Sequence, residues 1–502
     1  MKNITSVFFL AILLDIFSCN ANSEPMWTWV SGSNDANQPG VYGTKGEASP
    51  YNVPGSRSRS VSWIDTSGNL WLFGGIYGST ERLNDLWKFD GTNWTWVSGS
   101  NTANHYGVYG TKGVAASGNV PGCRYGSVSW IDYSGNLWLF GGCGLAASGG
   151  GYLNDLWKFD GTNWTWVSGS NLKDQYGVYG TKGVAAPGNV PGGRFCSVSW
   201  IDSSGKLWLF GGYGIATSYG ATNELWKFDG TNWTWVSGSK FVNEISVYGT
   251  KGVAASGNVP GARDSSVSWA DNIGNLWLFG GDCYDASSGN TNMMNDLWKF
   301  DGTNWIWVSG SNIVNQPGVY GTKCTADSGN VPGARYASIS WTDNVGNFWL
   351  FGGYGYAASG NAGVLNDLWK FDGTYWTWFS GSDITWQPGV YGEKGIPASG
   401  NVPGARGGFV SWFDGNGNLW LFGGKSPPKM YLNDLWKFGI SENAADLNGN
   451  GIIDFVDFSI LASQWLQPPG NPSADIAPSP AGDGLVNILD LSEFSMHWLE
   501  TI

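Results

Sequence analysis

The sequence predicts an all-β chain closed into a ring of six repeated four-stranded units, followed by a small α-helical module. Three observations carry this. The run LWLFGG begins at Leu70, Leu137, Leu207, Leu276 and Leu419, and as FWLFGG at Phe348, so a glycine pair returns every 67 to 72 residues. Thirty of the 33 Trp fall at five fixed positions in six units, leaving only Trp386, Trp465 and Trp498 elsewhere. No long apolar helix pattern precedes residue 450, whereas glycine is abundant throughout. Self-similarity at a fixed period outweighs the several-domain prior that 502 residues would suggest.

Each unit holds four strand-like runs. In the first they are residues 57–65 (RSRSVSWID), 69–75 (NLWLFGG), 84–90 (NDLWKFD) and 93–99 (NWTWVSG). Glycine-containing turns at 66–68 and 91–92 join the first pair and the last pair as hairpins. The second run is apolar at every position from Leu70 to Phe73, which suits a strand covered on both faces. The sixth unit ends at LNDLWKFG (432–439) without a fourth run, and an orphan MWTWVSGS stands at 26–33. Pairing the orphan with residues 435–438 closes the ring and removes exposed sheet edges.

Strand parity puts the two short turns of every unit on one face. The loops between the second and third strands, and those between units, lie on the other. Variable tips on a rigid ring are where binding usually resides, so function is expected there. An arginine opens each innermost strand (Arg57, Arg124, Arg194, Arg263, Arg335, Arg406), and six guanidinium groups near a central funnel would clamp a carboxylate or sulfate. The competing reading is an ion pair repeated because the unit repeats. YGTK recurs from Tyr42 and Lys45 onward, either stacking on sugars or anchoring its loop. Residues that break the repeat are better ligand candidates: Tyr125, Tyr336 and Trp386 foremost, with His105, Asp264, Tyr284 and Tyr356.

These features resemble the kelch family of β-propellers. The apolar run ending in Gly74 and Gly75, then Trp87 and Trp94 separated by six residues, follows kelch spacing, and PGxRxxS with Arg57 and Ser60 precedes it. The resemblance implies a six-bladed propeller over residues 24–440. Some kelch-like propellers are copper oxidases of the galactose oxidase type, which need two His and two Tyr ligands. The propeller here has His105 alone, so no copper is expected. Other six-bladed members are sialic acid mutarotases.

Residues 1–23 carry a lysine and a short apolar run and read as a secretory signal peptide; the alternative is a lipoprotein anchored at Cys19. No later membrane span is expected. Among the remaining cysteines, Cys123 and Cys143 fall nearly opposite across the turn at Ser134 and Gly135 and are expected to form a disulfide. Cys283 and Cys324 are a second candidate pair, leaving Cys196.

Residues 441–502 hold six Asp and three Glu with no Lys or Arg, so −9 of the net charge of −13 lies there. No basic patch suits nucleic acid. Asp446, Asn448, Asn450, Asp454 and Asp457 recur at the spacing of a calcium loop with Gly451 at its sharp turn, and an apolar helix pattern follows. A second copy keeps Asp483, Asn487 and Asp490, with Asp475 displaced. The pair resembles type I dockerin modules. The resemblance implies calcium as cofactor, carbonyl ligands from Ile452 and Leu485, an EF-hand-like helical domain over 441–502, and docking to a cohesin-like or cell-surface partner. A calcium-stabilised appendage without a partner is the alternative.

The expected function is that of a secreted, non-catalytic binding or scaffold protein whose long-loop face recognises a glycan or protein. The rival is an extracellular carbohydrate-active enzyme, a glycan hydrolase or mutarotase, assembled through its dockerin.

Overall fold

The computed structural model describes residues 26–202, 204–285, 289–343, 346–415, 417–426, 430–439 and 455–466, with Ala474, Ile476, 485–487, Asp490, Leu491 and Phe494. The signal segment with Cys19, and Asp446, Asn448, Asn450, Ile452, Asp454, Asp475 and Asp483, lie outside the described residues.

A strand apolar at consecutive positions needs cover on both faces, and the sheets provide it. In the first unit Val61–Ile64, Leu70–Tyr77, Glu81–Phe89 and Trp94–Ser98 lie side by side, each antiparallel to the next. Leu70, Trp71, Leu72 and Phe73 are all buried. Packing joins each sheet to its neighbour: Trp71 meets Phe159 edge-on and Phe73 meets Trp164 of the following unit. The third-strand tryptophans, Trp87 to Trp436, are inaccessible to solvent. Each removes on the order of 200 Å² from water, worth several kcal/mol.

The glycine pair has a geometric cause. Gly74 and Gly75 have φ of +64° and +105°, and the pairing register slips between Phe73 and Gly75. A Cβ on Gly75 would stand 2.3 Å from Ser60 Oγ, and one on Gly74 would stand 2.8 Å from the Arg124 carbonyl of the next unit. The pair is thus a bulge that lets adjacent units touch backbone to backbone.

Closure occurs as the sequence predicts. Met26–Ser31 pairs antiparallel with Met430–Gly439, Trp27 opposite Phe438 and Trp29 opposite Trp436, in a four-stranded sheet assembled from both ends of the repeat array. The innermost strands touch in cyclic order, and Val410–Phe413 returns to Val61–Ile64. Trp63 Nε1 donates to the Trp138 carbonyl of the following unit at 3.0 Å, and Trp412 Nε1 donates to Trp71 O at 3.0 Å.

The segments expected to be long loops between second and third strands are mostly hairpin. Leu137–Leu145 pairs with Gly150–Phe159 out to Leu145 opposite Gly150, and Phe348–Tyr356 pairs with Ala362–Phe371. Their small, irregular residues hide the alternation that marks a strand, yet backbone pairing needs none of it.

In the acidic tail Phe455–Ser463 is a helix, and Asp490, Leu491 and Phe494 are also helical. Leu461, Ala474, Ile476, Val486 and Phe494 form a small core there. No helix among the described residues is long and apolar enough to cross a membrane.

Candidate functional site at the mouth of the ring

Three residues of each PGxRxxS segment, which is PGARGGF in the sixth unit, decide what the mouth of the ring presents. The arginine itself is sequestered, which corrects its candidacy as a ligand group. Arg57 is buried, its Nη1 and Nη2 donating to the two oxygens of Asp85 at 2.7 Å each, its Nε to Gly55 O at 2.8 Å. Arg124, Arg263, Arg335 and Arg406 repeat this with Asp155, Asp296, Asp367 and Asp434. Arg194 meets Glu224 instead, and Thr222 Oγ1 accepts its other arm at 3.2 Å. Burial opposes the charge on Arg57, but Asp85 outweighs it and raises the guanidinium above its ordinary value. Tyr42 donates to Asp85 at 2.8 Å and Trp87 Nε1 at 2.7 Å, so the carboxylate is fully engaged. The YGTK motif therefore anchors its loop. Lys45 Nζ completes it, donating to Gly99 O at 2.8 Å over the Trp96 ring.

Two residues beyond each arginine the chain turns back through a left-handed conformation. Arg59, Gly126, Cys196, Ser265, Ala337 and Gly408 all have φ between +53° and +66°. Each amide donates to the preceding member's carbonyl: Gly126 to Arg59 at 2.8 Å, Cys196 to Gly126 at 2.7 Å, and so on to Arg59 donating to Gly408 at 2.5 Å. This cyclic hydrogen-bonded collar narrows the centre. Arg59 alone of its members projects a charged side chain.

Between arginine and collar stand Ser58, Tyr125, Phe195, Asp264, Tyr336 and Gly407, each opposite a residue of the second strand: Ile76, Cys143, Tyr213, Asp282, Tyr354 and Lys425. These pairs differ in every unit although the surrounding scaffold repeats. Two adjoining cavities open on them. One, of about 490 Å³, is lined by Tyr336, Tyr354, Trp386, Lys425, Tyr431, Tyr125 and Arg59, among others. The other, of about 370 Å³, is lined by Tyr152, Phe195, Tyr213, Asp264, Asp282, Tyr336 and Arg59. Both are of the size of small-molecule sites and share Arg59 and Tyr336.

Trp386 is set there at a conformational cost. The five equivalent loop positions hold Asn37, Asn104, Asp174, Asn243 and Asn315, all with positive φ, whose side chains accept an amide of the neighbouring hairpin at 2.9–3.1 Å. Trp386 keeps the left-handed backbone, φ +65°, and offers no such cap. Its ring is about half exposed and meets Tyr354 edge-on at 6.3 Å. A bulky side chain in this region is an outlier, and such outliers concentrate at functional sites.

Asp264 and Asp282 face each other across the strands of the second cavity. Asp264 accepts from Ser265 Oγ at 2.7 Å, and Asp282 from Thr291 Oγ1 at 3.0 Å. Burial raises Asp264 to about 7 and also lifts Asp282. The Arg59 guanidinium stands 6.0 Å from the Phe195 ring and forms no hydrogen bond or ion pair among the described residues. Cys196, then Asp264, Tyr125 and Tyr336, hold its pKa up against burial.

Of the sequence candidates, the structure brings together Tyr125, Tyr336, Trp386 and Asp264. His105 lies aside, its Nε2 2.6 Å from Thr102 Oγ1, and Tyr284 and Tyr356 line neither cavity. Arg59, Asp282, Tyr354 and Lys425 went unread; their signal was disagreement among repeats at aligned positions. The expected Cys123–Cys143 disulfide is absent, both being free thiols, as are Cys196 and Cys283, so the Cys283–Cys324 pair is not formed either. The turn from Asp132 to Asn136 sets a register in which Cys143 faces Tyr125, two residues from Cys123.

In the tail, Asp490 Oδ1 accepts the Ile476 amide at 2.6 Å and Oδ2 the Asn487 amide at 2.7 Å, while Asn487 Nδ2 donates to Leu485 O at 2.9 Å. The second bond is the reciprocal half of a helix capping box, which suits the ninth and twelfth positions of a calcium loop entering its helix. The described members of the candidate set, Leu485, Asn487 and Asp490, offer carbonyl and carboxylate oxygens, the donor type a hard cation takes.

A closed array of repeated antiparallel sheets with variable hairpins over its mouth defines a β-propeller. A family model described as the KLHDC2/KLHL20/DRC7 Kelch-repeats domain matches residues 44–177. Together with the sheet topology this supports a kelch-type propeller. Among solved structures, "Structure of YjhT" is 14% identical, with 78% of this chain and 97% of that one covered and a TM-score of 0.46. A "Novel fungal alcohol oxidase with catalytic diversity among the AA5 family, in complex with copper" is 13% identical, with coverage of 82% and 78% and a TM-score of 0.41. No curated protein matches the sequence.

Proposed function

We propose that this chain is a secreted, non-catalytic binding protein. A six-bladed kelch propeller recognises a carbohydrate at its mouth, and a calcium-folded dockerin-like module attaches it to a cohesin-like or cell-surface partner. The observation that carries the carbohydrate reading is Trp386: one unit gives up a capping Asn and accepts a strained backbone to hold an indole over a cavity already walled by Tyr336 and Tyr354. Aromatic faces beside a few polar groups are what a pyranose ring needs, because its C–H faces stack while its hydroxyls bond. Calcium, when bound, would be held by Asp446, Asn448, Asn450, Ile452, Asp454 and Asp457, and would supply folding energy to the tail rather than chemistry.

A second reading, a carbohydrate-active enzyme, draws on Asp264 and Asp282, a facing carboxyl pair with raised pKa that lines the adjoining second cavity. Screening immobilised protein against a glycan array, with product analysis of each bound glycan, separates the two. Binding without turnover, lost in W386N, is expected. Turnover abolished by D264N or D282N overturns the non-catalytic reading.

A further inference from the structure

Resting on the carbohydrate reading, we propose that the ligand is an acidic oligosaccharide chain laid across both cavities, with the carboxylate or sulfate of an internal sugar held by Arg59.

Arg59 carries the argument. Its five equivalents are Gly126, Cys196, Ser265, Ala337 and Gly408, so an arginine at this collar position is not required by the repeat. A left-handed backbone favours glycine, and Arg59 adopts it nonetheless. A guanidinium has five N–H donors in a planar fork that matches carboxylate or sulfate. Those of Arg57 and its repeats are spent on buried carboxylates; those of Arg59 meet no described acceptor. Five donors on a side chain shared by two cavities make a receptor suited to an anion.

The length of the ligand follows from what flanks that side chain. On one side stand Trp386 and Tyr354 with Lys425 beyond. On the other, Tyr152 stacks on Phe195 at 5.5 Å with planes 5° apart, and Tyr213 and the exposed Tyr219 pack against it. Two aromatic walls with a cation between them suit a sugar at each end and an anionic one in the middle. A single terminal residue would use one wall. Asp264 and Asp282 line the second cavity and accept sugar hydroxyls; the titratable groups facing Arg59 are these two with Cys196, Tyr125, Tyr336 and Tyr431.

The test is calorimetry of the full chain with uronate-bearing and sulfated tetrasaccharides, each paired with its carboxyl-reduced or desulfated neutral twin, with the corresponding acidic monosaccharides, and with an acidic tetrapeptide. At least one acidic tetrasaccharide should bind ten-fold or more tighter than its twin and than its monosaccharide. R59G, which copies Gly126 and Gly408, should erase the difference between twins without lowering the melting temperature. Equal affinity of the twins, an acidic preference unchanged in R59G, or a monosaccharide as tight as the tetrasaccharide overturns the proposal. Any of these leaves the carbohydrate reading standing provided W386N still abolishes binding. Tetrapeptide binding without saccharide binding, or no binding at all, defeats both.

Discussion

At the scale of single residues, position within a seven-residue segment separates a repeated buried ion pair from side chains that differ in every unit. The arginine of PGxRxxS is structural: removing its partner strands a buried charge, which typically costs about 3–5 kcal/mol. Asp367→Ala, leaving Arg335 unpaired, should therefore lower stability by about that amount in denaturant melts. The positions that vary between units behave oppositely, and Trp386, in the loop that precedes Arg406, is the clearest case. W386N restores the Asn that most other units use; it should gain about 1 kcal/mol of stability while losing glycan binding, since the left-handed cost is removed together with the indole. Asp264 supplies a pH dependence. Its native pKa of about 7 exceeds the unfolded value near 3.9, so the native state holds the extra proton between them. Its contribution to stability is therefore lost as pH rises from about 4 to 7, by a few kcal/mol at most. D264N should flatten that slope in melts recorded across the range. Protonation of Asp264 also leaves the Arg59 charge less compensated, so an acidic ligand should bind more tightly at pH 6 than at pH 8.

At the scale of elements, the decisive strand is Met26–Ser31. Without it, Met430–Gly439 becomes an open edge carrying unpaired backbone groups, and Phe438 loses the cover that the Trp27 ring gives it. Deleting residues 26–33 should depress the melting temperature by more than about 10 °C, in the range expected for a loss of several kcal/mol, and should promote self-association visible by size-exclusion chromatography. This closure was legible because the sixth unit lacks one run and the N-terminus supplies a matching one. The hairpins between second and third strands were not, because Gly, Ala and Ser runs such as 143–152 carry no period while still pairing through their backbone. The third unit shows how local the code is. Where Leu-Asn-Asp becomes Thr222, Asn223 and Glu224, the long hairpin splits, and Tyr213–Ile215 with Tyr219–Ala221 form a separate small sheet. The misread cysteine pair has the same origin, since a register set at Asp132 and Asn136 overrides near-symmetry of sequence position.

At the scale of the whole molecule, repetition made the scaffold readable and left the site to its exceptions. Tyr125, Tyr336, Asp264 and Trp386 stood out because they break the pattern of their repeats. Arg59 hid beside the repeated arginine, and Asp282 and Lys425 hid in segments read as loops. Convergence over one mouth is a property of closure, not of spacing, so no local pattern shows it. The tail is a separate matter. Titrating calcium into the metal-free chain should release heat and raise helical circular dichroism, and Asp446→Ala should weaken both. The central claim, that binding takes place over the collar, is tested most directly by hydrogen–deuterium exchange with and without the tightest array glycan. Slowed exchange is predicted in residues 57–60, 352–356 and 386, with none on the opposite face at 65–68 and 413–415. Protection confined to that opposite face or to the tail would contradict it.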